Sequence, residues 1–514
     1  MIEKIFDGGL PRLGWISYIK KTPMLVTVLH GTDVELADNF IVEGVWEGDF
    51  NLGNFHCAEH FFGSGIVVQD DCVWIVPSTA LVDRLFFCED NDYFFASNSL
   101  VCLLAYLGAE LDSTHNYKEQ SDSILVGING YKSTFPILHE TIKSFEQILY
   151  FPIKLTKHGF ESQRFDTQNN FNDYSEYYSS LRKNLKDIRV NSKSPQRKKP
   201  LLAYTTVSRG YDSTAVTALT HDLDIRKAFT SRKSSSAFAS WMNPDAAIDD
   251  GTCIAKTFDL QVSYLDYSQK DIGEDETVFI CPTPAEPEII FYKACRELGN
   301  NSVPSILFTG YHGDKIWNRN LNSKNLERDI VRGDNSGLNL GEARLNAAFI
   351  NVPVPLMYAK DIASIQAISN SDDMLPWSIG DYYDRPIPRR IAEDAGILRA
   401  TFGNRKKSVI SFYNMPKNKS LRKKFYKSLK EDYKIGKFRC ITTSYFDALT
   451  FYSEKGFKLI GAFLGVRSKV PLTKNSLDIP YKMFLWALKC EVKHKKNTLK
   501  NGWKNYKKVN EKSR

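Results

Sequence analysis

The sequence predicts a mixed architecture: an amino-terminal α+β part rich in β-strands, followed by an α/β part built on a parallel sheet. Two patterns indicate this division. Short β-like runs separated by turn residues fill roughly the first 165 residues. After Pro200, strand-like and helix-like runs alternate, as they do in proteins with a parallel sheet. A chain of 514 residues also exceeds one domain of about 100–200 residues, so at least two domains are expected.

The strands expected in the amino-terminal part are short and alternate with turns. The acidic segment 89–92 separates two aromatic runs and predicts a hairpin. Ser97 and Asn98 precede an apolar run that begins at Leu100, which is the pattern of a capped helix. Strands are expected over 13–19, 24–29, 65–68, 72–76, 84–87 and 93–95.

A charged helical pattern from Asp173 to Val190 leads into segment 191–200, which contains two prolines and four basic residues. That composition is typical of an exposed connection. The second domain is expected to contain strands over 201–207, 227–230 and 262–265, helices over 214–219 and 251–258, and mainly helices after about residue 330. We therefore predict domains over 1–170 and 171–488, and a basic tail over 489–514.

Charge and cysteine content limit the partners and the compartment. The net charge is +8, and ten basic and two acidic residues give the tail over 489–514 a charge of +8 by itself. Such a tail suits an acidic partner, RNA or a membrane surface, but a solvated terminus has the same composition. No apolar run approaches the ~20 residues of a membrane span, and the first residues lack a signal-peptide pattern. Nine widely spaced cysteines without a C-x-x-C pair indicate free thiols. We therefore expect a cytoplasmic protein.

The first strand-to-helix turn of the α/β part has the composition of a phosphate-binding loop. It reads Val207-Ser208-Arg209-Gly210-Tyr211-Asp212-Ser213-Thr214. Gly210 permits a tight turn, and Ser208, Ser213 and the helix start offer donors to phosphate oxygens. Asp212 would repel a bare phosphate, so its presence implies a divalent cation between them.

These residues resemble the S-G-G-x-D-S signature of the ATP pyrophosphatase domains in the asparagine synthetase superfamily. The resemblance implies that Val207, Ser208, Gly210 and Ser213 bind ATP and that Asp212 binds Mg²⁺. Arg209 stands where the family has its first loop glycine. Phe229 and Thr230, at the end of the next strand, are expected near adenine from topology alone.

A second element is similar to the superfamily motif S-G-E-G-x-D-E. It is the strand-and-turn sequence Ile306-Leu307-Phe308-Thr309-Gly310-Tyr311-His312-Gly313-Asp314-Lys315. The resemblance places Gly310 at the ATP site and makes Asp314 the Mg²⁺ ligand that acts with Asp212. Lys315 replaces the usual Glu, so no role is carried over to it.

A third element, the helical segment 390–397 followed by 402–407, resembles the family's carboxy-terminal helix and its phosphate-contacting lysine. Lys407 fits that position best, and Lys406 is the alternative register. The implied role is to stabilise the charge of departing pyrophosphate.

The amino-terminal part looks like the Ntn-type glutamine amidotransferase domain of asparagine synthetases, on segments 83–87 and 94–100. Active members carry a nucleophilic Cys directly after the initiator Met, whereas this chain has Ile2. The domain is therefore expected to be inactive in glutamine hydrolysis. In the absence of this Cys, the chain resembles the subgroup of β-lactam synthetases, carbapenam synthetases and lasso peptide cyclases.

In that subgroup a Tyr–Glu pair deprotonates the attacking amine. Tyr311 stands at the position of the catalytic Tyr, and Glu342 lies at about the spacing of its Glu. Two alternatives remain open: Tyr311 and Glu342 have packing and pairing roles only, or His312 is the base because imidazole titrates near neutrality.

The resemblance implies an amide-bond-forming ligase that uses ATP and Mg²⁺, adenylates a carboxylate and releases AMP and pyrophosphate. Its substrates would be a carboxylate and an amine, in a small molecule or a peptide of natural-product biosynthesis, and the amine is expected to be intramolecular. Three alternatives stay open: an ammonia-dependent asparagine-synthetase-like enzyme, an RNA-modifying pyrophosphatase-type enzyme, and a non-catalytic binding protein. Nucleic acid is the least favoured partner because the chain lacks paired cysteines for sulfur transfer.

Overall fold

We analysed a computed structural model of the chain. It describes residues 2–163, 169–232, 248–265, 276–280, 282, 291–321, 330–332, 334–380, 383–403, 415–446, 449, 453, 477–500 and 502–503. The described residues form a mixed α/β structure, with a large β-rich part followed by a parallel sheet and helices, as the sequence predicts.

The amino-terminal part contains two sheets. Its strands are β1 (Ile2–Phe6), β2 (Trp15–Lys20), β3 (Leu25–His30), β4 (Glu35–Leu36), β5 (Phe40–Trp46), β6 (Phe61–Gln69), β7 (Cys72–Val76), β8 (Leu85–Glu89), β9 (Tyr93–Ser97), β10 (Glu110–Leu111), β11 (Thr134–Leu138), β12 (Ser144–Ile148), β13 (Ile153–Thr156) and β14 (Gly159–Ser162). One sheet has the order β1-β3-β2-β9-β8-β12-β11-β10, and the other has the order β14-β13-β7-β6-β5-β4. Residues from both sheets, including Trp15, Ile41 and Phe87, share one buried cluster. The two sheets therefore pack face to face.

Two short helices follow the predicted hairpin of β8 and β9, namely α1 (Leu100–Leu107) and α2 (Tyr117–Asp122). Every residue of α1 is buried. Ser99 is its N-cap, because the Ser99 hydroxyl accepts a 3.0 Å hydrogen bond from the Cys102 N–H. The capped helix predicted after Ser97 and Asn98 is confirmed.

The second part is built on five parallel strands, β15 (Leu202–Thr206), β16 (Ile225–Thr230), β17 (Val262–Tyr264), β18 (Ser305–Thr309) and β19 (Phe349–Pro353). Their order is β17-β16-β15-β18-β19, and all four pairings are parallel. The chain moves outward from β15 to β17 and then returns to place β18 on the other side of β15. This change of direction creates a topological switch point between β15 and β18.

The helices of this part are α3 (Tyr174–Ser192), α4 (Tyr211–Thr220), α5 (Thr252–Thr257), α6 (Tyr292–Gly299), α7 (Gly313–Ile316), α8 (Gly341–Ala347), α9 (Ile362–Ser369), α10 (Pro386–Asp394), α11 (Lys419–Tyr433) and α12 (Ile479–Thr498). Leu181, Leu185 and Ile188 of α3 pack into the same core as β15 and α4. The same core also includes Val45 and Phe62 of the amino-terminal part, so α3 packs against both parts, and its assignment to the second domain stays a prediction.

Helix α12 runs through residue 489, where the basic tail was predicted to begin. Phe484 and Leu488 of α12 pack with α1 in one core cluster, which also includes Leu499 and Trp503. The Trp503 ring lies 4.9 Å from the Phe95 ring. Because Leu499 and Trp503 pack against the amino-terminal part, the described residues of the predicted tail, 489–500 and 502–503, are not a free tail. None of the helices in the described ranges is long and apolar enough to cross a bilayer.

A buried ion-pair cluster joins the two parts. Arg344 of α8 donates from Nη1 and Nη2 to the Glu43 carboxylate on β5, at 2.8 and 3.0 Å, and from Nε to Asp83. We call these three residues the junction cluster. All three side chains are at most 5% exposed, so the junction cluster fixes α8 against the amino-terminal part.

Candidate functional site

Two loops meet at the switch point of the parallel sheet. The first, residues 207–210, connects β15 to α4, and we call it the phosphate loop. The second, residues 310–314, follows β18, and we call it the acidic turn. Ligands of open α/β sheets bind beyond the carboxyl ends of the strands, at such a switch point. The topology therefore brings the first two predicted motifs to one candidate site.

Hydrogen bonds within the motif hold the phosphate loop in a tight turn. The Ser208 N–H donates to Ser213 Oγ at 3.0 Å, and the two serine hydroxyls lie 2.8 Å apart. The Gly210 N–H donates to Ser208 Oγ, and Thr214 Oγ1 donates to the Gly210 carbonyl. The loop leads into the start of α4, where the first N–H groups have no acceptor within the helix. This arrangement suits a ligand that carries anionic oxygens.

The two loops touch, and glycines make the contact possible. A Cβ atom added at Gly313 would lie 2.4 Å from Asp212 Cγ, and one at Gly310 would lie 2.7 Å from the Ser213 N. Both distances are far shorter than a van der Waals contact. The close contact between the two loops therefore requires glycine at positions 310 and 313. The motif spacing alone did not reveal this requirement.

Arg385 is the residue that sequence reasoning missed at this site. Its Nη1 lies 2.5 and 2.6 Å from the two oxygens of Asp212. The guanidinium also stacks 4.8 Å from the centre of the Tyr383 ring. Burial opposes the charged form of Arg385, but Asp212, followed by Tyr383 and Asp314, raises its pKa, so Arg385 stays charged.

The carboxylates of Asp212 and Asp314 fit the requirement for Mg²⁺, which prefers oxygen ligands and completes its shell with phosphate and water. An ionised carboxylate has about four lone-pair sites, so Asp212 retains acceptor capacity beside Arg385. Within the described ranges, no group of three or more His, Cys, Asp or Glu forms a metal centre. A cation here would therefore need ligands from its nucleotide or from water.

Arg209 does not obstruct the turn that it enters in place of glycine. Its N–H donates to Asp249 Oδ1, and its Nε donates to the Asp250 carbonyl, both at 3.2 Å. The side chain therefore lies along the segment that precedes α5.

The residues predicted near adenine are buried. The Phe229 ring packs 5.6 Å from the Tyr204 ring, and Thr230 Oγ1 accepts from the Gly251 N–H at 2.9 Å. Val207 is buried, and its N–H donates to the Phe229 carbonyl. Because these side chains are buried in packing contacts, an adenine would have to contact their backbone groups. That contact stays a prediction.

Tyr311 and Glu342 are not hydrogen-bonded to each other. The Tyr311 ring packs 5.7 Å from Phe291 and joins the cluster that includes Leu340. Glu342 accepts from Ser99 Oγ at 2.7 Å and from the Val101 N–H at 3.2 Å. Burial raises the pKa of Glu342. In this structure Glu342 binds the start of α1 across the junction, and the Tyr–Glu pair stays a prediction.

His312 occupies a left-handed backbone conformation, with φ of 62°. Its imidazole is buried beside the Ser336 carbonyl and accepts a hydrogen bond from Arg332 Nη2 to Nε2 at 2.7 Å. Burial and then Arg332 lower the pKa of His312 to about 4. His312 is therefore neutral at pH 7 and has a structural partner, which weakens it as the alternative base. Lys407 and Lys406 lie outside the described residues.

No known protein family matches the chain, and no significant match to a curated protein was found. The functional assignment therefore depends on the motifs and on their placement. Of the predicted residues, Ser208, Gly210, Asp212, Ser213, Gly310 and Asp314 come together at the switch point. Glu342 lies at the junction instead.

Proposed function

We propose that this chain is an ATP- and Mg²⁺-dependent ligase that forms an amide bond. One observation carries the proposal: the phosphate loop and the acidic turn lie at the ends of the adjacent strands β15 and β18 and touch at Gly310 and Gly313. The adjacency of the strands brings the loops together, and the residue types that meet there, hydroxyls and carboxylates, are those that a phosphate and its Mg²⁺ need.

The phosphate loop supplies hydroxyls from Ser208 and Ser213 and the start of α4 to the phosphates. Asp212 and Asp314 hold Mg²⁺, which neutralises phosphate charge when it is bound. Arg385 adds a fixed positive charge beside Asp212. Lys407 is proposed to stabilise departing pyrophosphate, by resemblance alone.

In the proposed reaction a substrate carboxylate oxygen attacks the α-phosphorus of ATP, and pyrophosphate leaves. An amine then attacks the resulting acyl-adenylate, AMP leaves, and the amine gives up a proton. Tyr311 is the proposed base because it belongs to the acidic turn, and Glu342 would have to leave Ser99 to assist it. The reaction is proposed to be independent of glutamine, and an amine within the same substrate is the preferred nucleophile.

The test is calorimetric binding of Mg-ATP to the wild type and to Asp212→Ala and Asp314→Ala. Asp187→Ala is the matched control, because Asp187 is 41% exposed and pairs with Lys183 on a helix surface. Binding that the first two substitutions abolish and the control retains supports the nucleotide site. Screening carboxylic acids by ATP–pyrophosphate exchange would then identify the substrate. Equal binding by all four proteins would contradict the proposal.

The ion pair between Arg385 and Asp212 favours a second candidate, a binding protein on this fold without ligase activity. In that case Arg385 supplies the charge that a metal would otherwise supply, and nucleotide binding needs no divalent cation. Calorimetry with ATP in EDTA separates the two candidates. Binding only with Mg²⁺ supports the ligase, and equal binding in EDTA supports the second candidate.

A further inference from the structure

A cavity of about 60 Å³ lies between the two parts, and no residue of the phosphate loop or the acidic turn lines it. Phe86 and Phe135 of the eight-stranded sheet and Phe484 of α12 form aromatic walls. The remaining wall includes polar side chains from both parts: Arg84, Asn339 and Glu342. About half of the lining residues are polar or charged, and small-molecule sites combine apolar walls with polar groups that fix the ligand's orientation.

Two of these polar side chains have unused hydrogen-bonding atoms. Both amide atoms of Asn339, Oδ1 and Nδ2, are buried and have no hydrogen-bond partner among the described residues. The same holds for Arg84 Nε, whereas Arg84 Nη2 donates to Ser121 Oγ at 2.9 Å. Each buried polar group without a partner costs about 1–3 kcal/mol. Three such atoms lie on residues that line one cavity, and a polar ligand there would satisfy them.

The charges at the cavity are of opposite sign. Arg84 is a cation, and the Glu342 carboxylate accepts from Ser99 Oγ and from the backbone N–H groups of Val101 and Leu100. An ionised carboxylate has about four lone-pair sites, so Glu342 keeps acceptor capacity. The cavity therefore suits a molecule that carries both an anionic and a cationic group.

We propose that this cavity binds a small α-amino acid as its zwitterion. Arg84 Nε and Asn339 Nδ2 donate to the carboxylate, Asn339 Oδ1 and Glu342 accept from the ammonium group, and the phenylalanine rings contact a short side chain. A water needs about 10–15 Å³ of such space, so this cavity holds about four to six non-hydrogen atoms. Glycine and alanine have that size.

The direct test is calorimetry or ligand-observed NMR with L-alanine in the absence of nucleotide. We expect a Kd on the order of 1 mM, because a ligand this small has few atoms that contribute. Propionate lacks the ammonium group and isopropylamine lacks the carboxylate, so each should bind at least about tenfold more weakly. Propionate or isopropylamine binding as tightly as L-alanine would overturn the zwitterion site, as would no binding of L-alanine. Because no ATP is present, failure here is separate from failure of the ligase proposal.

Asn339→Leu keeps the shape of the side chain and removes its amide. It should weaken L-alanine binding at least about tenfold. The control is Asn51→Leu, an exposed asparagine that does not line the cavity, which should bind like the wild type. L-alanine binding unchanged in Asn339→Leu would overturn the assignment of that residue, and the wild-type ligand comparison stands even if the variant fails to fold.

Discussion

Two arginines of the parallel-sheet part bind carboxylates in different settings. At the junction cluster, Arg344 faces Glu43 and Asp83, and the three side chains are 2%, 0% and 5% exposed. At the phosphate loop, Arg385 is 3% exposed but its partner Asp212 is 23% exposed. The first arginine is sealed between two parts of the molecule, and the second has its partner open to water. Charge pairing at the junction therefore serves cohesion, whereas pairing at the loop leaves Asp212 available to a ligand.

The largest expected effect breaks the sealed cluster. Arg344→Met leaves the Glu43 and Asp83 carboxylates buried without their cation, and breaking a buried ion pair costs about 3–5 kcal/mol. We expect the free energy of unfolding, measured with urea, to fall by that amount. Lys183→Met is the control, since Lys183 is 75% exposed and exposed pairs contribute about 0–1 kcal/mol. Equal losses in the two variants would contradict the cohesive role of the junction cluster.

The second prediction concerns pH at the same cluster. One arginine serves two carboxylates, and Asp83 Oδ2 has no hydrogen-bond partner among the described residues. Burial and the neighbouring Glu43 carboxylate raise the pKa of Asp83 to about 6, although Arg344 opposes the rise. The folded state therefore binds a proton more tightly than the unfolded state, and stability should fall as pH rises from about 4 to about 6.

The size of this pH dependence is about 2–3 kcal/mol, from the difference between about 6 and the ordinary value near 3.9. The Asp83→Asn side chain cannot ionise but keeps an oxygen for Arg344. The free energy of unfolding of this variant, measured with urea between pH 4 and 7, should therefore lack this pH dependence. An unchanged pH slope in Asp83→Asn would show that another group titrates.

Local patterns predicted the parallel sheet well and its contacts poorly. The sequence predicted β15, β16, β17 and β18, because each is an apolar run bounded by turn residues or a helical pattern. Strand β19 was missed, since its five residues lie within a region of mainly helical patterns. The alternation of strands and helices also pointed to the end of β15 as the ligand site, whereas the end of β18 was added by the motif resemblance.

Contacts between distant residues could not be predicted in this way. Arg385 is 173 residues from Asp212, and only the position of Arg385 directly before the helix-starting Pro386 hints at its placement. Glu342 was assigned to Tyr311 from its spacing, yet its hydroxyl partner Ser99 is 243 residues away. The spacing of residues along the chain does not predict which residues of another domain they contact.

The third prediction tests the open pair at the phosphate loop. Arg385→Met leaves Asp212 without its cation, but water reaches that carboxylate and hydrates it. The loss in unfolding free energy should therefore be about 1–2 kcal/mol, smaller than for Arg344→Met. Urea unfolding of both variants in one buffer gives the comparison. A loss at Arg385 as large as that at Arg344 would mean that the loop is sealed as the junction is.

The smallest expected effect is a difference in stability between the loss of an ordinary helix cap and the loss of a cap that also joins the two parts. Ser99 caps α1 and donates to Glu342, whereas Asn418 caps α11 through the Ser420 and Leu421 N–H groups. Removal of either cap with alanine costs about 1 kcal/mol. Ser99→Ala should cost about 1 kcal/mol more, because it also removes a hydrogen bond to a buried carboxylate. Chemical unfolding of Ser99→Ala and Asn418→Ala measures the difference, and equal losses would show that the bond to Glu342 adds nothing to the cohesion of the junction.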